Sequence, residues 1–113
     1  LALTTDTSFL TAFPNDVDFE HIFARQVQAL GKPGDVLLGI STSGSSKNVI
    51  LAFEEAKKKG IKTLALVGTQ GTLGSIADVA IEIPTSHGGY MQESHLSVEH
   101  VLCGIVERVV CPQ

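Results

Sequence analysis

Six consecutive residues, Ser41 to Ser46, carry an unusual density of hydroxyl groups: five of the six are serine or threonine. At the start of a helix, such hydroxyls and unpaired backbone N–H groups lie at the positive end of the helix dipole, where phosphate commonly binds. The alternative is a simple helix cap, which Ser46 could provide alone. Five hydroxyls exceed what a cap requires, so the segment predicts an anion site.

The glycine spacing around this loop imitates a nucleotide-binding P-loop. Gly39 and Gly44 stand at the required separation, but Ser45 and Ser46 follow where that motif needs lysine and then serine or threonine. Without the lysine, chemistry on a nucleoside triphosphate is not expected.

A second polar group lies at the start of the last helical pattern. It comprises Gln92, Glu93, His95, Glu99 and His100. Around a helix, Glu93 and His100 lie about 20° apart and Gln92 and His100 about 80° apart, so either pair can share a face. A histidine beside a carboxylate or amide can bind a metal or transfer protons. A solvated helix start with acidic residues near the dipole is the alternative, and this helix taken alone favours it.

Composition limits the class of protein. At 113 residues with 43% hydrophobic and 18% charged residues, the chain predicts one well-buried globular domain. A net charge of −4 gives no footprint for nucleic acid, and neither a membrane span nor a signal peptide is recognisable. We therefore expect a soluble, cytoplasmic protein.

Cys103 and Cys111 would lie about 12 Å apart along a helix, beyond disulfide reach, which predicts reduced structural thiols.

Strands and helices alternate along the pattern. A buried strand is predicted at residues 36–40, an apolar strand at 61–67 and a short last strand at 79–83. Helices are predicted at 19–30, 46–59, 73–77 and 91–110. Residues 1–5 look like a strand already in progress, which suggests that an upstream portion is missing. The order predicts an α/β fold: a three-layer αβα, doubly wound parallel sheet covered on both faces. The serine-rich loop then lies at the carboxyl end of a strand, where such sheets bind ligands.

Two segments resemble a known family. Residues 39–49 (GISTSGSSKNV) are similar to the sugar-phosphate loop of sugar isomerase (SIS) domains, and residues 92–100 (QESHLSVEH) are similar to the C-terminal helix motif of the phosphoheptose isomerases within that family. The resemblance implies that Ser41, Thr42, Ser43 and Ser46 bind the phosphate. It also implies that Gln92 and His100 bind a divalent metal, usually zinc, with Gln92 bordering the substrate and His100 also transferring a proton. Geometry alone favours Glu93 over Gln92, and Glu93 stays the competing choice.

The resemblance extends through nearly the whole chain. Asp16 matches a substrate-bordering polar residue, with a helix cap as the equal alternative. The family's earlier segment, with a helical arm, a central strand, a Gly-Asn-Gly-Gly-Ser turn and a helix bearing a histidine and a catalytic glutamate, has no counterpart in this sequence. Residues 1–113 are therefore expected to be a single, N-terminally truncated SIS domain, with the remaining zinc ligands in the missing part. Tyr90-Met91 also replaces the family's common Arg-Ile.

The resemblance implies an enzyme that isomerises sedoheptulose 7-phosphate in heptose biosynthesis for lipopolysaccharide or capsule. It also implies a homotetramer without nucleic-acid or membrane partners. Because the matching glutamate is absent, the 113 residues alone are expected to be inactive. The alternative is a non-catalytic SIS module, either a sugar-phosphate sensor or an adaptor for the bacterial replication initiator. Such adaptors commonly lack the histidine at the position of His100, so its presence favours the enzyme.

Overall fold

The computed structural model describes residues 1–112 and contains a three-stranded parallel sheet in the order β1-β2-β3. The strands are β1 (Val36–Ser41), β2 (Lys62–Gly68) and β3 (Val79–Ile83). The helices are α1 (Thr7–Asp16), α2 (Ile22–Leu30), α3 (Lys47–Lys58), α4 (Leu73–Ile76) and α5 (Gly88–Val110). The strand and helix order predicted from residue 19 onward is confirmed, with ends that differ by a few residues. The αβα architecture is also confirmed.

The register of the sheet brings the functional loops to one edge. Ser41 pairs with Val67, and Gly68 pairs with Ile83, so the three parallel strands end at the same level. The loops that follow them therefore meet beyond the carboxyl ends of the strands, as open parallel sheets require.

The core lies between the sheet and α3. Phe53 of α3 is fully buried and packs with Ala65, Val67 and Leu73. Gly39 of β1 makes this packing possible, because a Cβ there would lie only 2.5 Å from the Phe53 ring. Gly39, which stands at the first glycine position of the P-loop pattern, is therefore explained by helix–sheet packing. Below this cluster, Val27 of α2 packs with Ala52, Ala56 and Ile61, and the Lys59 ammonium donates to the last carbonyls of α2.

The prediction that β1 is buried is wrong for one of its faces. Val36, Leu38 and Ile40 are 68%, 41% and 45% exposed, because β1 is an edge strand and α5 covers the sheet over β2 and β3. A groove of about 500 Å³ runs along this edge, between β1 and residues 1–4. Residues 1–5 form no strand, which corrects that prediction: they lie across the groove, and the Gln26 amide fixes them by donating to the Leu3 carbonyl. Within residues 1–112 they have no adjacent strand with which to pair.

The long helix α5 makes little contact with the rest of the described chain. Within residues 88–110, only Met91 and His95 are buried. Val101, Ile105, Val106 and Val109 are exposed, and so are the free thiols of Cys103 and Cys111. No helix among residues 1–112 has both the length and the apolar character needed to cross a bilayer.

Two glycine turns touch at the functional edge. Gly44, after β1, and Gly71, after β2, both have positive φ angles, +64° and +82°. Their backbones lie so close that a Cβ on Gly44 would collide with the Gln70 carbonyl. The Gly44 carbonyl accepts hydrogen bonds from Thr72 N–H (3.0 Å) and Leu73 N–H (2.9 Å). The serine-rich loop is therefore fastened to the next loop by backbone contacts that side chains would obstruct.

At the opposite edge, Asp78 ties β2 to the start of β3. Its carboxylate accepts hydrogen bonds from the Thr63 backbone N–H and hydroxyl, both at 2.9 Å, and from the Lys62 ammonium at 3.1 Å. The Thr63 backbone bond, then Lys62 and the Thr63 hydroxyl, lower the pKa of Asp78 from 3.8 to about 2. These contacts favour the ionised form.

We expect Gly44→Ala to destabilise the fold more than Gly60→Ala. Both glycines have similar positive φ angles, but nothing lies within 4 Å of a Cβ on Gly60. Gly60→Ala should cost about 1 kcal/mol from backbone strain alone, and Gly44→Ala at least about 1 kcal/mol more, because the two turns must separate. Urea unfolding measures both. Equal losses would contradict the backbone contact as a stability determinant.

We expect Asp78 to contribute to acid sensitivity. Because its pKa is lower in the folded state, the stability it contributes is present above pH 3.8 and is lost as the pH falls towards 2. Asp78→Asn should therefore be less stable than the parent at pH 6, and the difference should shrink between pH 4 and 2. Urea midpoints at each pH provide the measurement. A difference that stays constant across this range would contradict the assignment.

Candidate functional site

A half-buried hydroxyl pair joins the two ends of the serine-rich loop. Ser41, at the end of β1, and Ser46, just before α3, hydrogen bond through their Oγ atoms at 2.8 Å. In the described chain, the Ser46 hydroxyl makes no hydrogen bond to the first turn of α3. A simple side-chain cap by Ser46 is therefore wrong. Within the described residues, the Val49 N–H donates to the Asn48 side-chain oxygen at 2.9 Å. The N–H groups of Lys47 and Asn48 keep their capacity to bind an anion.

The rest of the loop forms a tight turn around Gly44. The Gly44 N–H donates to the Ser41 carbonyl at 3.1 Å, and the Ser45 N–H donates to the Ser43 hydroxyl at 3.2 Å. Ser43 and Ser45 are exposed, whereas Thr42 is half-buried. The loop thus presents two kinds of hydroxyl, with Ser41, Thr42 and Ser46 directed to an interior wall and Ser43 and Ser45 at the outer surface.

A cavity of about 410 Å³ joins this loop to the start of α5. Its lining residues are Ile40, Ser41, Thr42, Ser46, Gln92, His95, Leu96 and Glu99. The two polar groups that the sequence singled out, 50 residues apart in the chain, thus share one site. Its hydroxyls, amide, imidazole and carboxyl group, set against two aliphatic side chains, suit a small polyhydroxylated anion.

The start of α5 is attached to the end of β2 by two side chains. Met91 packs on Gly68, where a Cβ would lie 2.7 Å from its methyl carbon, and His95 Nε2 lies 3.3 Å from the Val67 carbonyl oxygen. His87 caps the helix by accepting the Tyr90 N–H. Gln92 lies between the two anchors and is thereby turned toward the cavity. Glu93 is exposed and does not line it. The structure thus places Gln92, and not Glu93, at the cavity.

His100 and Asp16 lie away from this cavity in the described chain. His100 is exposed on α5, about 80° around the helix from Gln92. Asp16 ends α1, is exposed, and accepts a hydrogen bond from the Asn15 amide at 2.9 Å. The cap alternative for Asp16 is wrong, because Asp18 accepts the N–H of His21, the residue that precedes α2, at 2.7 Å.

The described residues do not complete a metal site. Residues 1–112 contain no group of three or more His, Cys, Asp or Glu side chains positioned to hold one ion. Structural zinc takes four protein ligands, and catalytic zinc takes three plus water. Gln92 and His100 could supply two, so a zinc ion would need ligands from beyond these residues.

Sequence reasoning grouped His95 and Glu99 with the helix polar residues but gave them no role. Their spacing from Gln92 contained the signal: residues 92, 95, 96 and 99 fall on one helical face, and all four line the cavity. The spacing alone could not predict the direction of that face relative to the sheet. This direction depends on the contacts that Met91 and His95 make with β2.

Comparison with known proteins identifies the family. The profile described as "SIS domain" matches residues 1–68, more than half of the chain. The chain belongs to the SIS domain family. The relationship extends beyond the matched segment, because the relatives align to nearly all of this SIS domain.

The phosphoheptose isomerases of Sulfurimonas denitrificans and Helicobacter pylori are each 50% identical to this chain, over 97% and 96% of its length. The structure of a phosphoheptose isomerase from Neisseria gonorrhoeae superposes with a TM-score of 0.91 and 43% identity over 95% of this chain. The structure of a phosphoheptose isomerase from Francisella tularensis superposes with a TM-score of 0.91 and 39% identity over 96% of this chain. The resemblance to this group is thus confirmed. The chain spans 57% of the length of the first two proteins, and 60% and 59% of the two solved chains.

We expect Ser46→Ala to weaken phosphate binding, since it removes a hydroxyl that lines the cavity. Loss of one hydrogen bond to a charged group should lower affinity for inorganic phosphate about tenfold. Ser45→Ala is the matched control in the same loop, because its hydroxyl donates to the Ser43 carbonyl at 3.3 Å and lies outside the cavity. Isothermal titration calorimetry measures both. Equal affinities in the two variants would contradict the assignment of the loop.

Proposed function

We propose that this SIS domain is part of a phosphosugar isomerase that converts sedoheptulose 7-phosphate to D-glycero-D-manno-heptose 7-phosphate. The reaction would serve heptose biosynthesis for lipopolysaccharide or capsule, in the cytoplasm. The observation that carries the proposal is the cavity between the serine-rich loop and Gln92, which combines an anion cradle with polar groups suited to sugar hydroxyls. The names of the relatives support the same activity.

In this proposal the phosphate is held by the cavity-lining hydroxyls of Ser41, Thr42 and Ser46 together with N–H groups at the start of α3. Ser43, on the outer side of the loop, would contribute to the same phosphate from that side. The positive potential comes chiefly from the helix dipole, because the Lys47 ammonium is engaged by Glu20 at 3.0 Å. Binding through hydroxyls and amides suits a monoester that must enter and leave, and it requires no net positive charge on the domain.

The reaction itself moves a proton between adjacent carbons. A base removes the proton from the hydroxyl-bearing carbon next to the carbonyl group, and the carbonyl oxygen gains a proton, which gives the enediol. An acid then returns a proton to the former carbonyl carbon, while the hydroxyl on the neighbouring carbon loses its proton and becomes the new carbonyl group. We propose His100 as one of these groups, with Gln92 and Asp16 bordering the substrate. Since His100 lies outside the cavity formed by the described residues, the proposal requires a substrate that extends beyond it toward groups supplied from elsewhere.

We further propose that Gln92 and His100 contribute two ligands to a zinc ion. Zinc bound there would stabilise negative charge on the oxygens of the enediol. The remaining ligands would come from outside residues 1–112, consistent with the incomplete ligand set of these residues.

The proposal also includes elements that complete the sheet and the assembly. The apolar residues Val36, Leu38 and Ile40 and the groove beside β1 suit an additional strand, consistent with relatives that are longer than this chain. The exposed apolar residues of α5 suit a contact between copies in a homotetramer.

The experiment is an isomerase assay on sedoheptulose 7-phosphate with the protein at its natural length. We expect turnover, and we expect His100→Asn to lower it by at least about a hundredfold, in the range of lost general acid–base catalysis. The 113 residues alone should show none. Zinc content is measured in parallel.

A replication-initiator adaptor would give a different result. It would show no turnover at natural length, and His100→Asn would leave its partner binding intact. Normal turnover by the 113 residues alone would instead contradict the proposed contribution of groups from outside this chain.

A further inference from the structure

His95 is a buried side chain of the site with one ring nitrogen that lacks a hydrogen-bond partner in the described chain. It is 2% exposed, it lines the cavity, and its Nδ1 has no hydrogen-bond partner among residues 1–112. Building on the proposed function, we propose that His95 is a positioning residue for Gln92. In the ligand-bound site, His95 Nδ1 accepts a hydrogen bond from the Gln92 side-chain amide and thereby directs the Gln92 carbonyl oxygen at the sugar.

The polarity of the ring follows from its contact with β2. His95 Nε2 lies 3.3 Å from the Val67 carbonyl oxygen, which can only accept, so Nε2 carries the proton. In a neutral imidazole the other nitrogen is then an acceptor. The end of β2 therefore sets the tautomer of His95, and Nδ1 requires a donor.

Burial of an acceptor without a donor carries an uncompensated desolvation cost, and native proteins rarely leave one unsatisfied. Because Nδ1 is covered by its surroundings, the donor must be a neighbouring side chain or a small group drawn in beside it. The cost is recovered when such a donor arrives. Ligand binding is the event that rearranges the polar groups of this cavity.

Among the residues that line the cavity, Gln92 is the donor best placed to reach Nδ1. Residues three apart on a helix are surface neighbours, about 5–6 Å between Cβ atoms, and Gln92 precedes His95 by three. The mutual hydrogen bond of Ser41 and Ser46 uses one of their two hydroxyl hydrogens. The other hydrogen, like the Thr42 hydroxyl, is assigned to the proposed phosphate cradle.

The consequence for Gln92 is a fixed orientation. A glutamine amide presents a donor and an acceptor that can exchange places by rotation. Once its N–H is committed to His95, its oxygen faces the cavity and accepts from a sugar hydroxyl or binds a cation. Binding of the phosphate at the serine-rich loop does not use this contact.

Calorimetric titration tests the proposal on the protein at natural length, with sedoheptulose 7-phosphate and inorganic phosphate as separate ligands. We expect His95→Leu to weaken the sugar phosphate about tenfold and inorganic phosphate less than about twofold. His95→Gln, which offers one donor and one acceptor, should recover most of the loss. Met91→Leu is the matched control, because it alters the other anchor of α5 without a polar change, and it should change both affinities by less than about twofold.

A double-mutant cycle separates positioning from packing. Added to Gln92→Ala, His95→Leu should cost no further sugar-phosphate affinity, because its effect passes through Gln92. Additive losses, failure of His95→Gln to recover binding, or equal effects of His95→Leu and Met91→Leu would each overturn the proposal while leaving the proposed function intact. Absence of sugar-phosphate binding by the unaltered protein would overturn the proposed function, and this inference with it.

A measurement without substitution covers the case in which His95→Leu does not fold. Nitrogen-15 NMR of the unaltered protein should show Nε2 protonated throughout, with the Nδ1 resonance moving toward hydrogen-bonded values when sedoheptulose 7-phosphate is added. Protonation at Nδ1 instead, or an Nδ1 resonance that does not move on binding, would overturn the proposal.

Discussion

The close approach of two glycine turns is the constraint on which the site depends. Gly44 and Gly71 meet backbone to backbone, and the Gly44 carbonyl accepts two N–H groups at the start of α4. Because the serine-rich loop is fixed to the sheet in this way, its inner hydroxyls form one wall of the cavity. The conformation of the proposed phosphate cradle thus depends on the main chain at Gly44 and Gly71. The hydroxyl side chains project from a backbone that these two glycines already hold in place.

The opposite wall of the cavity, which α5 forms, is held by only two buried side chains. Within residues 88–110, Met91 and His95 are the buried side chains, and both meet the last two residues of β2. The same strand end therefore holds α5 and, through the loop after it, the serine-rich loop. This shared support explains how residues 50 positions apart reach one cavity. A structural change in either wall is therefore expected to reach the other wall through the end of β2.

Local periodicity in the sequence predicted most of the secondary structure. Apolar runs and helical spacing identified the strands and helices, and hydroxyl density identified the loop. The features that it could not predict depend on neighbours in space. Val36, Leu38 and Ile40 read as buried because their pattern cannot show that β1 lies at an edge, and residues 1–5 read as a strand although no strand lies beside them in the described chain. The place of His95 in the cavity could not be predicted, because it depends on the direction in which α5 packs against the sheet. The proposed role of His100 depends on groups outside residues 1–112.

The central claim is that a phosphorylated sugar binds with its phosphate at the turn from β1 to α3. A crystal structure of the protein at natural length with sedoheptulose 7-phosphate tests this most directly. We expect phosphate oxygens within hydrogen-bond distance of the Ser41, Thr42 and Ser46 hydroxyls, and the sugar directed toward Gln92. Phosphate bound elsewhere, with the Ser41–Ser46 hydroxyl pair unchanged, would contradict it.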